Sequence, residues 1–171
     1  MSESSVTIRT ATVDDAAALI EFLRLFQQEK HSGVFVPVGG LPTLEQETSW
    51  IRELLNHETS NLWLGCAEQH IVGILDFHGH PHPQMSHGGS LGTSVLRAYR
   101  GQGVGYRLMQ TLIEWATAHT ALRRIELEVF SHNTHAISFY ERQGFVREGA
   151  RMGAVLVDGK SCDMVLMARL V

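Results

Sequence analysis

Ser94-Val95-Leu96-Arg97-Ala98-Tyr99-Arg100-Gly101-Gln102-Gly103-Val104-Gly105 carries the chain from a strand through a glycine-rich turn into a helix. Between Gly105 and His119 the residues Leu108, Met109, Leu112, Ile113, Trp115 and Ala116 recur at helical period, and Ile125, Leu127 and Val129 then alternate with Glu126 and Glu128 as a half-buried strand does. The order is strand, helix, strand, a right-handed crossover that joins parallel strands. The glycines leave backbone N–H groups uncovered at the positive end of the helix, a place for an oxyanion, and Arg100 adds a cation. A Rossmann turn needs three glycines spaced G-x-G-x-x-G and an acid about 20 residues on, and a P-loop needs Gly-Lys-Ser/Thr; neither pattern is present.

The flanks read as more of the same layered α/β architecture. Val6, Ile8 and Thr10 alternate as a short strand, and Thr12 with Asp15 forms a capping box for a helix whose buried face is Ala16, Leu19, Ile20, Leu23 and Phe26. Thr43 with Gln46 starts a second helix through Ile51, Leu54 and Leu55, after a Gly/Pro-rich loop over 33–42. Two apolar runs, 62–67 and 71–75, predict an antiparallel hairpin, and Ser90 to Leu96 a third strand. Beyond the crossover, Ala136, Ile137 and Tyr140 mark a helix that stops at Gly144, and Asp158-Gly159 splits two closing strands with a two-residue turn.

Length and composition bound the rest. The chain has 171 residues, 44% of them apolar and 19% charged, which predicts one domain over 1–171. A formal charge of −4 leaves no excess of cations for nucleic acid or an anionic bilayer. The N-terminus has no basic flank with an apolar stretch behind it, and no segment approaches the roughly 20 apolar residues a spanning helix needs. Cys66 and Cys162 stand apart in apolar runs and read as small core residues of a cytoplasmic protein.

Two motifs together sharpen this. Arg100-Gly101-Gln102-Gly103-Val104-Gly105 resembles the R/Q-x-x-G-x-G/A signature of the GNAT superfamily of acyl-CoA-dependent N-acetyltransferases, and Asn133-Thr134-His135-Ala136-Ile137-Ser138-Phe139-Tyr140 followed by Gly144-Phe145 is similar to that family's second signature. The resemblance spans nearly the whole chain and is sharp from Val95 to Gly149. It implies a twisted mixed sheet of about seven strands, splayed near Val95 and Val129, with about four helices on its two faces. It also implies acetyl-CoA as acyl donor, with no metal required. Backbone groups of Thr93, Ser94 and Val95 would pair with the pantetheine arm, the N–H groups of Gly101, Gln102, Gly103, Val104 and Gly105 beside Arg100 would hold the pyrophosphate, and Asn133 would lie near the pantetheine. Tyr140 matches the position whose phenol assists the departing thiolate.

The general base does not follow from the resemblance, because Gly88-Gly89-Ser90-Leu91-Gly92-Thr93 lacks the carboxylate that many relatives carry before the glycine turn. Asp76, His78 and His87 are the nearest candidates beside a water relay, and histidine chemistry favours His87 or His78. His78, His80, His82 and His87 also form a cluster of metal-ligand type, read here as shaping acceptor recognition rather than binding metal. Tyr140 on its spacing alone is a core aromatic, Asn133 an N-cap, Arg123 and Arg124 a solvated pair with nearby carboxylates, and Trp50, Trp63 and Trp115 packing residues. The closing pattern Gly149, Gly153, Asp158-Gly159-Lys160, Asp163 and Met167-Ala168-Arg169 resembles the branch acting on amino acids, other small amines or ribosomal-protein N-termini. A small-molecule primary amine such as an amino acid or polyamine is thus the expected acceptor. A peptide or protein N-terminus, or a non-catalytic acyl-CoA-binding module, are the alternatives. Homodimers are common among such relatives, so the resemblance admits two copies pairing through the closing strands.

Overall fold

A computed structural model describes residues 6–29 and 40–171. Seven strands form one mixed sheet in the order β1-β2-β3-β4-β5-β7-β6: β1 is Val6–Thr10, β2 Asn61–Ala67, β3 His70–Gly79, β4 Gly88–Val95, β5 Arg124–Phe130, β6 Val146–Val157 and β7 Lys160–Leu170. Helices α1 (Ala16–Gln28) and α2 (Leu44–Asn56) cover one face, and α3 (Val104–Ala118) and α4 (Thr134–Arg142) pack against the other. No helix among the described residues is long and apolar enough to cross a membrane.

Local chemistry explains the elements. Thr43 Oγ1 accepts from Gln46 N at 3.2 Å while Thr43 N donates to Gln46 Oε1 at 2.8 Å, closing the capping box that starts α2. On α1 the buried side chains are Ala16, Leu19, Phe22 and Phe26; Ile20 and Leu23 are only half-buried, because the helix is rotated to stack Phe22 on Phe26 at 5.8 Å. Most of the Gly/Pro-rich loop lies outside the described residues; Gly40–Pro42 belongs to them. Gly144 terminates α4 at φ 83°, as a left-handed C′ residue does.

The β4–α3–β5 crossover is parallel, and its pairing is short. Gly88, Gly89 and Ser90 face Arg124, Ile125 and Glu126, after which the two strands part. The opening therefore starts several residues before Val95 and Val129, where the sequence places it.

Two packing expectations change, and the tryptophans pack as expected. Cys66 is buried, but Cys162 is half-exposed on β7, its sulfur 3.1 Å from His132 Nδ1 and 3.5 Å from Ser131 Oγ, and these hydrogen bonds hold the thiol below its usual range. Trp63 is buried and meets Trp115 edge-to-face at 5.3 Å; Trp115 and Trp50 are both half-buried and packed against the two cores, and Trp50 also forms part of the wall of a cavity. Arg124 pairs with Glu126 and Glu148, but Arg123 instead donates to the carbonyls of Thr120 and Leu122.

Candidate active site

Where β4 leaves β5, its unpaired edge faces a gap. The phase of the β3–β4 ladder follows from His80 N donating to Gly88 O and Leu96 N donating to Val72 O, which makes Ser90, Gly92 and Ser94 the residues bonded back to β3. Leu91, Thr93 and Val95 consequently turn their backbone groups away from β3, Leu91 with its N–H at the last rung of the β5 pairing and Thr93 and Val95 toward the opening. Of the three residues read as an extended-chain partner, Thr93 and Val95 have this orientation and Ser94 does not. The Val95 carbonyl is already occupied, accepting from Arg100 Nε at 2.8 Å.

The turn after β4 is an anion cradle. Gly101 and Gly103 sit at φ 73° and 80°, and a Cβ on either would meet nothing within 4 Å. Gly103 caps α3 with no side chain on its free N–H groups, and no acid lies in the first turn. The first helical bond runs from Arg107 N to Gly103 O, so the N–H groups of Val104, Gly105 and Tyr106 have no intrahelical acceptor. An open, donor-rich cradle of this kind fits the diphosphate of a CoA thioester. Gln102 uses its side chain to brace the turn, donating to Ala98 O at 2.7 Å.

Arg100 is not free beside this cradle. Its guanidinium pairs with Glu29 at 2.8 Å, and the other Glu29 oxygen accepts from Arg97 N at 2.6 Å. Glu29, the C-cap of α1, thus ties that helix to the turn. Sequence reasoning missed it, and a contact across 71 residues leaves no local signal.

Asn133 is the N-cap of α4, accepting from Ala136 N at 3.2 Å. Tyr140 is 9% exposed, set between Phe139 and Phe145. Its hydroxyl has no hydrogen-bond partner among the described residues, and burial pushes its pKa up to about 12. A phenol held so far above the roughly 8.5 of a thiol is suited to donating a hydrogen bond to a departing thiolate while keeping its proton.

The histidines do not converge. His78 Nε2 lies 2.9 Å from Asp76 Oδ2, His80 Nε2 lies 2.6 Å from Glu126 Oε1, His82 accepts from Gln84 N, and His87 is exposed. No group of metal-ligating side chains forms among the described residues. His87 precedes β4 at the end where β4 and β5 are still paired, about 20 Å along an extended strand from Thr93, so the structure does not bring it to the opening. Asp76 is brought there: it faces Gly92 across the β3–β4 register, and its Oδ1 would be 2.9 Å from a Cβ at Gly92. The hydrogen bond and charge of Asp76 raise the pKa of His78.

Asp76 also lines a cavity of about 630 Å³ between α1, α2 and β3, walled by Leu19, Leu23, Leu41, Trp50 and Ile74. That volume lies within the usual range for small-molecule sites. Glu47, buried on α2, contributes a second carboxylate to its wall.

Comparison with known proteins bears on this geometry. The profile of the acetyltransferase (GNAT) family matches residues 19–145. The L-amino acid N-acetyltransferase AaaT of Escherichia coli (strain K12) is 31% identical over 121 residues, which cover 71% of this chain and 75% of that protein. Among solved structures, an acetyltransferase of the GNAT family from Streptococcus pneumoniae aligns with a TM-score of 0.92 at 29% identity, over 98% of this chain and 100% of that one. A Salmonella typhimurium chain solved with its cofactor acetyl-CoA has the same fold, with a TM-score of 0.82 at 17% identity over 96% of this chain and 93% of that one.

Proposed function

The chain belongs to the acetyltransferase (GNAT) family and is an acetyl-CoA-dependent N-acetyltransferase, and from that premise we propose that its acceptor is the primary amine of a small molecule held in the Asp76 cavity. The cavity carries the reading: its size, its apolar walls and the presence in its lining of Asp76, which faces Gly92 of β4, favour a small acceptor over a peptide. Strand β6 closes the sheet with a free edge bearing exposed Met152 and Leu156, where a second copy would pair in the homodimer we propose. Two free cysteines fit the cytoplasmic setting of the same proposal.

Bound acetyl-CoA supplies an activated acyl carbon and a thiolate leaving group. The chain's part is to place and polarise. The cradle from Gly101 to Gly105 holds the diphosphate, and the edge N–H group of Thr93, beyond the last β4–β5 rung, is available to a developing oxyanion. His78, oriented by Asp76, takes the proton that an ammonium must lose before it attacks, and Tyr140 donates a hydrogen bond to the departing sulfur.

Proton removal by His78 has a consequence for pH. Because Asp76 raises the His78 pKa, kcat/KM for the amine rises with pH through a limb above the ordinary histidine value. Asp76→Asn removes the cause and moves that limb to lower pH, while lowering the plateau by about tenfold or more. A pH–rate profile of both proteins checks this.

The functional reading itself is tested by acetyl-CoA-dependent thiol release with small amines, amino acids and short peptides. Saturable turnover with a small amine or amino acid is expected. Turnover confined to peptides contradicts the proposed acceptor.

A further inference from the structure

Glu47 is the one buried carboxylate of the acceptor cavity that the mechanism leaves unused. It sits on α2, only 6% exposed, and its side chain makes no hydrogen bond or ion pair among the described residues. Its backbone N–H donates to Thr43 O in the first turn of α2, and the residue lines the cavity. Burial alone raises its pKa, as happens when no cation compensates the loss of water. An unpaired buried carboxylate costs several kcal/mol unless a ligand brings the opposite charge.

The placement of its neighbours indicates what such a ligand looks like. Trp50 follows Glu47 by three residues on the same helix, about 4.5 Å along the axis, and its ring lies 6.3 Å from that of His78. From the Asp76–His78 end the wall therefore passes over an indole before it reaches Glu47. Leu19, Leu23 and Ile74 supply further apolar surface along the way. The described lining holds no lysine or arginine, so a carboxylate on the acceptor would face Glu47 and Asp76 without a counter-charge. Negative, apolar, negative is the complement of a nitrogen, a run of methylenes and a second nitrogen.

We infer that the acceptor is an aliphatic diamine or polyamine, its reacting nitrogen at Asp76 and His78 and its second ammonium paired with Glu47. This rests on the acetyl-transfer reading above, and it departs from the L-amino acid acceptor named for the Escherichia coli relative. Glu47 is then a specificity residue, contacting the substrate away from the reacting atoms.

The test measures kcat and KM for 1,4-diaminobutane, 1-aminobutane and L-ornithine in the full chain and in Glu47→Gln, with calorimetry of 1,4-diaminobutane binding alongside. The full chain is expected to prefer the diamine over the monoamine by at least roughly tenfold in kcat/KM, expressed in KM, with L-ornithine the poorest. Glu47→Gln is expected to collapse that preference to within about twofold and to weaken diamine binding by about tenfold. Because the carboxylate is unpaired, the variant should melt no lower than the parent, so loss of fold does not mimic the effect. Equal use of monoamine and diamine, better use of L-ornithine, or a Glu47→Gln defect that preserves the substrate ratio each overturns the inference while leaving acetyl transfer to small amines intact. Turnover of no amine fails the acetyl-transfer reading instead; the calorimetry then judges the subsite, and diamine binding that is absent or indifferent to Glu47→Gln overturns it.

Discussion

Tyr140→Phe lowers kcat by about a hundredfold or more while acetyl-CoA affinity stays within about threefold. The expectation follows from where the phenol is and what surrounds it. Its ring is held by Phe139 and Phe145, so removing one oxygen leaves the packing in place. The hydroxyl has no partner to lose among the described residues, and burial keeps it protonated well beyond neutral pH. Deleting it therefore costs the folded ground state little and falls on the step in which negative charge gathers on sulfur. Melting temperature, donor binding by calorimetry and steady-state kcat measured together separate the readings. Unchanged turnover in the variant removes Tyr140 from the mechanism and returns it to the core.

Gly103→Val should abolish useful donor binding, weakening it by more than about a hundredfold. Two costs combine. At φ 80° a β-branched side chain is strained, which costs the fold roughly 1–3 kcal/mol. The added methyl groups also enter the open space above the cradle, where no atom of the chain lies within 4 Å of a Cβ. A charge-assisted hydrogen bond contributes about 1.5–3 kcal/mol, so losing two of those offered by the start of α3 accounts for the drop. The strain should lower the melting temperature by about 2–12 °C, whereas the binding loss should be near complete. Calorimetry finding acetyl-CoA affinity preserved in this variant would show that the diphosphate binds elsewhere.

The crossover was readable because its signals are local: the β4 strand, the glycine turn, the helical period of α3 and the alternation of β5 lie within about forty consecutive residues. Both capping boxes, the Asp158-Gly159 turn and the Gly144 stop are local for the same reason. Features that depend on distant packing were not readable. The parting of β4 from β5 after Ser90 and Glu126 is set by neighbouring strands, and the Glu29–Arg100 tether joins positions with no shared pattern. Asp76 and His78, two apart on one strand, share a face by the period-two rule, and that rule separates the pair from His87 only once the hairpin is folded. Glu47 reads in sequence as one more polar residue of an amphipathic helix; α1 and β3 bury it. Trp50 reads as packing because burial and cavity wall have the same hydrophobic signature. Cys162 is misplaced because alternation in β7 runs out near its turn, where Ser131 and His132 reach the thiol.

Acetyl-CoA bound at the β4–β5 opening is expected to give its acyl group directly to an amine in the adjoining cavity. Mass spectrometry of one reaction mixture, with thiol release quantified in parallel, tests it most directly. One N-acetylated amine is expected for each thiol released, only when acceptor is present, with no stable acetylation of the chain. Thiol release without an acetylated amine would contradict it.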